Sequence, residues 1–343
     1  MVTSTSAQLP VPEHFDAAKV GEIWRVPYQR RAANARDWAA RHGLRPATQD
    51  RTRIALLLID VQNTFCLPES ELPVAGAVDD NTRLCEFIYR NLSTITAIHV
   101  TLDTHTAMQI FHPVFWVNEL GEHPEPATVI SIEDVEAGRW KVNATIADNV
   151  FDGDLAGLKT HVLHYARRLN EGGKYPLIIW PYHAMLGSIG HALVTSVEEA
   201  CFFHNVARNS QTRFEIKGGN PLTENYSVLQ PEVLDGSDGK LIAQKNIRLL
   251  DALLEFDVVI IAGQAKSHCV TWTVNDLLSE IDARDPAIAK RMYLLEDCTS
   301  PVIIPEVVDF TEQANEAFQR FADAGMHLVR STDPIGQWPG ISA

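Results

Sequence analysis

Short runs of apolar residues alternate along the chain with longer segments in which apolar positions recur every three or four residues. The runs predict β-strands at 54–59, 95–102, 177–180, 213–216, 258–262, 292–295 and 327–329. Segments between them, such as "NTRLCEFIYRNLSTI" and "KNIRLLDALLEF", have the period of amphipathic helices. Strands that are apolar along their whole length are covered on both faces, as in parallel sheets. The pattern therefore predicts an α/β fold with three αβα layers and a mostly parallel sheet of about six strands.

Two regions fall outside this alternation. Residues 1–50 form a predicted N-terminal arm with seven basic and five acidic residues, against 22 basic and 39 acidic in the domain of residues 51–343. We expect the arm to pack against a neighbouring subunit, so the protein is predicted to be a homo-oligomer, a dimer or larger. Residues 118–175 have weak strand signals and are predicted to be an insertion. Within them, "HVLHYARRLNEGGK" predicts a helix that ends at Gly172 and Gly173.

The charge of the chain limits its partners. Its 343 residues include 29 Lys and Arg against 44 Asp and Glu, a net charge of −15 at pH 7. Nucleic acid and anionic membranes are therefore unsuitable partners, whereas a small neutral or cationic molecule is suitable. No apolar run reaches the length of a transmembrane helix, and the N-terminal stretch lacks the basic and apolar parts of a secretory signal.

The cysteines indicate the redox compartment. They are five in number, at positions 66, 85, 201, 269 and 298, and show no CxxC spacing. Neither a disulfide framework nor a zinc ribbon is indicated, and we expect a reducing cytoplasm.

Acidic and histidine side chains follow three of the predicted strands. They are Asp60 after 54–59, Asp103 and His105 after 95–102, and His183 after 177–180. Reactive residues of an open parallel sheet gather beyond the carboxyl ends of its strands. Asp103 and His105 point to the same side of an extended segment and can share a metal ion with His183. The alternatives are that Asp60 only caps the next helix and that the histidines only make hydrogen bonds.

A lysine and a cysteine stand at two further strand ends. Lys217 follows 213–216, and because burying an unpaired ammonium is costly, we expect an anion nearby. Cys269 follows 258–262 at the start of a predicted helix, where the helix N-terminus lowers a thiol pKa. An inert, buried cysteine is the alternative. With Lys217 stabilising the Cys269 thiolate and Asp60 moving protons, the predicted reaction is amide hydrolysis through a thioester.

Six segments, in this order, resemble the isochorismatase-like cysteine hydrolases, and within them the nicotinamidase/pyrazinamidase group. They are "LLLIDVQNTFC", "LDTH", "WPYHAMLGSIGHAL", "IKGGNPLTENYSV", "AGQAKSHCV" and "YLLEDCTS", within residues 54–117 and 177–330. The resemblance implies an isochorismatase-like, Rossmann-like hydrolase domain over residues 51–343. It also implies hydrolysis of a small heteroaromatic amide such as nicotinamide to the acid and ammonia.

The resemblance implies a role for each matched position. The catalytic acid, lysine and cysteine of the family are matched by Asp60, Lys217 and Cys269. Phe65 and Trp180 match aromatic residues of the substrate pocket. The peptide bond before Ala265 is expected to be cis, with the N–H groups of Ala265 and Cys269 forming the oxyanion hole.

The metal ligands implied by the resemblance are Asp103, His105 and His183. They are expected to bind a divalent ion, Zn²⁺ first, with Fe²⁺ or Mn²⁺ as alternatives. Isochorismatase-type members lack this trio, so it favours the nicotinamidase group.

The chain departs from the family pattern at several positions. Lys266 and Ser267 stand where Thr-Asp is usual, and Ala184 stands where Cys is common. The insertion enters where the family forms its pocket wall. His112 lies near an additional metal-proximal histidine of some members, but its spacing from His105 is shifted, so the resemblance implies no role for it. The histidines of the insertion are expected to lie away from the site: His123, His161 and His164.

These departures leave three hypotheses open. The first is a metal-containing cysteine amidase for nicotinamide or a related small heteroaromatic amide. The second is a hydrolase of the same fold for a carbamoyl compound, an enol ether or a larger amide. The third is a binding or scaffold protein without catalytic activity.

Overall fold

The computed structural model describes residues 8–173 and 175–341. Residues 1–7 of the predicted arm, residue 174 of the predicted insertion and residues 342–343 lie outside the described residues. The strands are β1 (Ile54–Ile59), β2 (Ala97–Asp103), β3 (Trp116–Val117), β4 (Val129–Ile130), β5 (Lys141–Val142), β6 (Leu177–Ile178), β7 (Arg213–Lys217), β8 (Val258–Gly263), β9 (Met292–Leu295), β10 (Ile303–Ile304), β11 (Val308–Asp309) and β12 (His327–Val329).

The helices alternate with the longer strands. They are α1 (Tyr28–His42), α2 (Asn63–Cys66), α3 (Ala77–Arg90), α4 (Ile132–Glu136), α5 (Ala147–Val150), α6 (Leu155–Glu171), α7 (Thr195–Arg208), α8 (Ile247–Leu254), α9 (Thr271–Arg284) and α10 (Thr311–Asp323). None of the helices in the described ranges is both long and apolar enough to cross a bilayer.

The central sheet has six strands in the order β12-β9-β8-β1-β2-β7, and every neighbouring pair is parallel. β1 and β8 lie at its centre and are buried along their whole length, with Leu57 paired to Ile261. Both strands are continuous apolar runs because helices cover the two faces of the sheet. The parallel sheet and its helices confirm the predicted three-layer fold.

The prediction that residues 177–180 form a strand of the central sheet is wrong. β6 covers only Leu177–Ile178 and pairs antiparallel with β4 in the insertion. The backbone N–H of Trp180 donates to the Phe111 carbonyl at 2.8 Å. In the central sheet, the strand next to β2 is β7. A short apolar run is buried in either arrangement, so its pattern does not identify the strand with which it pairs.

The insertion, residues 118–175, has secondary structure of its own. β5 pairs with β3, β4 pairs with β6, and α6 is its longest helix. α6 ends at Glu171 with Gly172 as its C-cap, and Gly173 has a φ of 63°, which confirms the predicted helix end. The helix begins as early as Leu155 because the Asp154 side chain accepts a hydrogen bond from the Gly157 N–H.

The described part of the arm packs on its own chain. Arg31 of α1 pairs with Glu199 of α7 at 2.8 Å, and both side chains are buried. Asp50, at the end of the arm, accepts two hydrogen bonds from the buried Arg208 of α7. These ion pairs hold the arm against α7, and the predicted contact with a neighbouring subunit stays a prediction.

Candidate active site

Asp60 leaves β1 in an uncommon backbone conformation. Its φ is 48°, in the left-handed region that residues other than glycine rarely adopt. The surrounding structure fixes it there, because its N–H donates to the Thr101 hydroxyl oxygen at 3.0 Å and its carboxylate accepts from the same hydroxyl group. Burial raises the pKa of Asp60, and the charge of Lys217 offsets only part of this effect.

Lys217, the last residue of β7, connects the parts of the site. Its buried Nζ lies 3.0 Å from Asp60 Oδ2, 2.9 Å from Asp103 Oδ1 and 2.7 Å from the Asn225 carbonyl. Burial disfavours its charge, but Asp103 and Asp60 outweigh this effect and hold the pKa of Lys217 well above its usual value. The sequence-based expectation of an anion near Lys217 is confirmed, with two carboxylates in contact.

Cys269 faces this lysine from the start of the next helix. It lies in a π-helical turn, Lys266–Val270, directly before α9, and its Sγ is 3.7 Å from Lys217 Nζ. Burial raises the pKa of the Cys269 thiol well above its usual value, and Lys217 opposes this shift while Asp60 and Asp103 add to it. The resting pocket therefore favours a thiol that hydrogen-bonds to Asp60, which differs from the thiolate that the sequence motifs predict.

Asp103, His105 and His183 form a buried cluster whose ligand atoms all lie within 4.8 Å of one another. His105 Nε2 is 2.8 Å and His183 Nε2 is 3.7 Å from Asp103 Oδ2. Each imidazole places its Nδ1 on a backbone carbonyl, His105 on Gly218 at 3.2 Å and His183 on Pro181 at 2.8 Å. Each ring thus keeps its Nε2 on the side of Asp103, where it is available as a metal ligand, and a backbone carbonyl at Nδ1 is the kind of partner that orients histidine ligands of metals.

The electrostatics and backbone of the cluster also fit a divalent metal. Burial disfavours the Asp103 carboxylate, but His105 and Lys217 outweigh it and hold the pKa of Asp103 well below its usual range. Burial lowers the pKa of His183, which favours the neutral ring that binds metals. A Cβ on Gly218 would lie 2.7 Å from His105 Cε1, so only glycine lets the backbone approach the cluster this closely.

His112 lies beside the cluster but outside its ligand set. Its ring centroid is 5.8 Å from that of His105 and 6.1 Å from that of His183. Its Nδ1 contacts the Ala107 carbonyl, its buried Nε2 has no hydrogen-bond partner, and burial is the main cause that lowers its pKa to about 3. His112 is thus a neutral neighbour of the proposed ligands.

The histidines of the insertion are engaged elsewhere, as predicted. One nitrogen of each ring lies against a backbone carbonyl: His123 against Trp116, His161 against Leu222 and His164 against Asp235.

Aromatic residues form much of the wall around Cys269. Phe65 packs against His183 with ring centroids 5.5 Å apart, and the indole N–H of Trp180 donates to the Tyr226 hydroxyl at 3.0 Å. The cavity measures about 30 Å³, and aliphatic side chains form part of its wall. It is lined by Phe65, Leu72, Val74, Asp103, Trp180, His183, Glu224, Tyr226, Ala265, His268, Cys269 and Val302. No residue of the insertion is among them, although the sequence places the insertion at the pocket wall.

The peptide bond between Gln264 and Ala265 is cis, as the resemblance implies. Ala265 and Cys269 both line the pocket, so the two residues expected to form the oxyanion hole stand on the same wall. The two residues of this turn that depart from the family pattern each contact a neighbouring side chain. Lys266 Nζ donates to Asn315, and the Ser267 hydroxyl lies 2.8 Å from His268 Nδ1.

Three polar pocket residues have no role in the motif-based prediction: Glu224, Tyr226 and His268. Burial raises the pKa of Glu224 well above its usual value, and it lowers the pKa of His268 to about 3. Both shifts favour the neutral form of the side chain in the resting pocket. Their nearness to Lys217 and Cys269 along the sequence was the signal that could have identified them.

Comparisons with known proteins agree with the fold. No protein-family model and no curated protein sequence matches the chain. A nicotinamidase/pyrazinamidase structure from Acinetobacter baumanii matches with a TM-score of 0.51 and 18% identity, covering 83% of this chain and 99% of that one. The yeast nicotinamidase structure matches with a TM-score of 0.50 and 18% identity, covering 80% and 99% of the two chains.

A second yeast nicotinamidase structure, bound to the inhibitor nicotinaldehyde, matches with a TM-score of 0.50 and 17% identity, covering 81% of this chain and 99% of that one. These likenesses confirm, at the level of the fold, the resemblance to the isochorismatase-like, nicotinamidase-like group. The chain has the three-layer fold of the nicotinamidase structures.

Proposed function

We propose that the protein is a metal-containing cysteine amidohydrolase that converts a small heteroaromatic amide such as nicotinamide to its acid and ammonia. The observation that carries the proposal is the contact of Lys217 with three groups at once, Asp60, Asp103 and Cys269. The proposed nucleophile, Cys269, and the proposed acid–base residue, Asp60, thereby contact the same buried lysine as Asp103 of the Asp–His–His cluster. Because buried charges are costly for stability, a cluster of charged groups around one buried lysine is typical of a catalytic site.

The first half of the reaction forms the thioester. Asp60 accepts the Cys269 proton as Sγ attacks the amide carbon, which gives a tetrahedral intermediate. The N–H groups of Ala265 and Cys269 stabilise its oxyanion. Asp60 then donates the proton to the leaving nitrogen, and ammonia departs as the carbonyl re-forms.

The second half releases the acid. A water molecule attacks the thioester carbon and gives its proton to Asp60, which returns it to the departing sulfur of Cys269. The carboxylic acid leaves, and the thiol is restored. The Lys217 ammonium, held against both Asp60 and Sγ, favours whichever of the two carries the negative charge at each stage.

The cluster would hold a divalent ion through Asp103, His105 and His183. When bound, the ion would supply a Lewis acid at this end of the pocket. The mixed oxygen and nitrogen donor set favours Zn²⁺, with Fe²⁺ or Mn²⁺ as alternatives.

The wall of the pocket favours the first hypothesis over the second. Its aromatic side chains, Phe65, Trp180 and Tyr226, suit a flat, ring-containing substrate. Hydrolysis of a carbamoyl compound or an enol ether is kept as the alternative, because Lys266, Ser267 and Ala184 depart from the nicotinamidase motif.

We also infer a homo-oligomer in a reducing, cytoplasmic compartment. The five cysteines are all free and buried, which suits a compartment that keeps thiols reduced. The basic arm on an acidic chain supports the oligomer.

The test is an ammonia-release assay across nicotinamide, pyrazinamide and acetamide, combined with metal analysis of the purified protein. We expect release from the two heteroaromatic amides and about one metal ion per chain. Cys269→Ala and Lys217→Ala are each expected to lower kcat by a factor of about 10³ or more. The matched control, Cys201→Ala, removes a buried thiol from α7, remote from the pocket, and is expected to keep kcat within about twofold.

Three results would count against the proposal. Hydrolysis of enol ethers or carbamoyl compounds without any amide turnover would favour the alternative hydrolase. If the Cys269→Ala variant were as active as the unchanged protein, Cys269 could not be the nucleophile. Failure of Cys269 to react with iodoacetamide, together with no turnover of any substrate, would favour the binding or scaffold protein.

A further inference from the structure

One face of α1 carries a row of hydrogen-bond donors. Arg30, Asn34, Trp38 and Arg41 are spaced by four, four and three residues, so they lie on the same side of the helix. They line a cavity of about 270 Å³, which we call the arm cavity. Its other lining residues are Pro12, Glu13, His14, Arg31 and Phe203. The arm cavity shares no lining residue with the pocket around Cys269.

The donors of the arm cavity lack acceptors within the described part of the chain. Arg30 forms no ion pair there, and the Arg41 guanidinium instead lies 5.1 Å from the centre of the Trp38 ring. Trp38 is only 6% exposed, and its Nε1 has no hydrogen-bond partner. Asn34 uses its oxygen to accept from Arg31, and its amide N–H groups have no acceptor among the described residues. A buried indole N–H without an acceptor is costly unless a ligand supplies one.

The charge of the arm cavity is positive although the chain as a whole is strongly negative. Arg31 is neutralised by Glu199 at 2.8 Å, and Glu13 is the one carboxylate among the lining residues. Arg30 and Arg41 therefore leave an excess of positive charge on a chain with a net charge of −15. Burial and the nearby charges of Arg31 and Arg30 also lower the pKa of His14 to about 4.

We propose that the arm cavity binds a small oxyanion, a carboxylate or a phosphate. Such an anion accepts hydrogen bonds from both guanidinium groups, from the Asn34 amide and from the indole N–H, and it offers no donor that would compete. Guanidinium groups are suited to both kinds of oxyanion, because their paired N–H groups match two oxygens of either. This site is independent of the proposed amidase reaction.

The test is calorimetric titration of the full chain with three probes: inorganic phosphate, benzoate and benzamide. Benzamide has the shape of benzoate without its charge. We expect an oxyanion to bind, and Arg30→Ala and Arg41→Ala each to weaken it about tenfold, the effect of one charge-assisted hydrogen bond. The matched control is Arg36→Ala, which removes the same charge from the opposite face of α1. It is expected to change the affinity by less than about twofold.

A further variant separates binding from folding. Trp38→Phe keeps an aromatic ring in the core but removes the indole N–H, and it is expected to weaken the oxyanion several-fold. Thermal unfolding of each variant shows whether it is folded at the titration temperature. If Trp38→Phe does not fold, the comparison of Arg30→Ala with Arg36→Ala still decides the question, because both positions are exposed.

The outcomes are distinct. Stronger binding of phosphate supports the site with a phosphate ligand, and stronger binding of benzoate supports it with a carboxylate. The proposal is overturned if no oxyanion binds, if benzamide binds as tightly as benzoate, or if Arg36→Ala weakens binding as much as Arg30→Ala. Because no outcome uses amide turnover, failure of the proposed function would leave this result unaffected.

Discussion

Replacing Gly218 with alanine is expected to disturb the Asp103–His105–His183 cluster directly. Gly218 has a φ of 88°, and an added Cβ would lie 2.7 Å from His105 Cε1 and 2.8 Å from Asp103 Oδ1. Both contacts are shorter than van der Waals contact allows, so the imidazole and the carboxylate must move or the backbone must shift. The Gly218 carbonyl also faces His105 Nδ1, so any backbone shift turns the ring as well.

Two effects add to the cost of this substitution. The left-handed conformation costs an alanine about 1–2 kcal/mol of folding stability. Disturbing the partner that orients a metal-binding histidine typically lowers metal affinity by a factor of about 10–100, or about 1.4–2.8 kcal/mol. We therefore expect Gly218→Ala to lose both stability and Zn²⁺ affinity.

Two control glycines separate these effects. Gly219 has open space around its Cβ position and no left-handed φ, so Gly219→Ala is expected to change neither quantity. Gly43 has a φ of 62° and also has open space, so Gly43→Ala is expected to lose stability alone. Zn²⁺ affinity is measured by competition with a chelator, and stability by urea unfolding. If Gly218→Ala bound Zn²⁺ as tightly as Gly219→Ala, the close approach of the backbone to the cluster would be refuted.

Three further predictions follow from the buried charges. Glu199→Gln leaves Arg31 buried without its charged partner and is expected to lower the free energy of unfolding by about 3–5 kcal/mol. Glu136→Gln, which removes the carboxylate of an exposed ion pair, is expected to cost less than about 1 kcal/mol. Equal effects of the two substitutions in urea unfolding would contradict this prediction. Burial lowers the pKa of His204 to about 4, so the unfolded chain binds the proton more readily and stability falls as pH drops from about 6.5 to about 4, by up to about 3 kcal/mol. His204→Gln is expected to flatten that part of the profile, and an unchanged slope would count against it. Asp60→Asn keeps the side-chain size but removes the base, so kcat is expected to fall about 10²–10⁴-fold; a variant retaining a tenth of kcat would exclude Asp60 as the base.

The sequence predicts the centre of the fold well because burial on both faces leaves a strong pattern. β1 and β8 are continuous apolar runs, and both are found at the middle of the sheet. Residues 177–180 show the same pattern, but Leu177 and Ile178 pair with the insertion, because apolar character reports burial and not the identity of the neighbouring strand. His183 nevertheless reaches the cluster, because a loop can deliver a ligand as well as a strand end can.

The protonation of the site was not predictable from motifs. A helix start and a lysine suggest a thiolate at Cys269, but the structure shows that Lys217 also contacts Asp60 and Asp103. With two carboxylates sharing one ammonium, little positive charge is left for the sulfur, and burial then favours the thiol. That balance depends on distances between residues far apart in the chain, which no local pattern contains.

The tightness of the pocket around Cys269 has a kinetic consequence. At about 30 Å³ the free space admits only a water molecule or two, so side chains of the wall must move before a planar ring can reach Cys269. Association that waits for such a motion is slower than diffusion allows. Whatever reaches the Cys269 sulfur is then shielded from bulk solvent by the same packing.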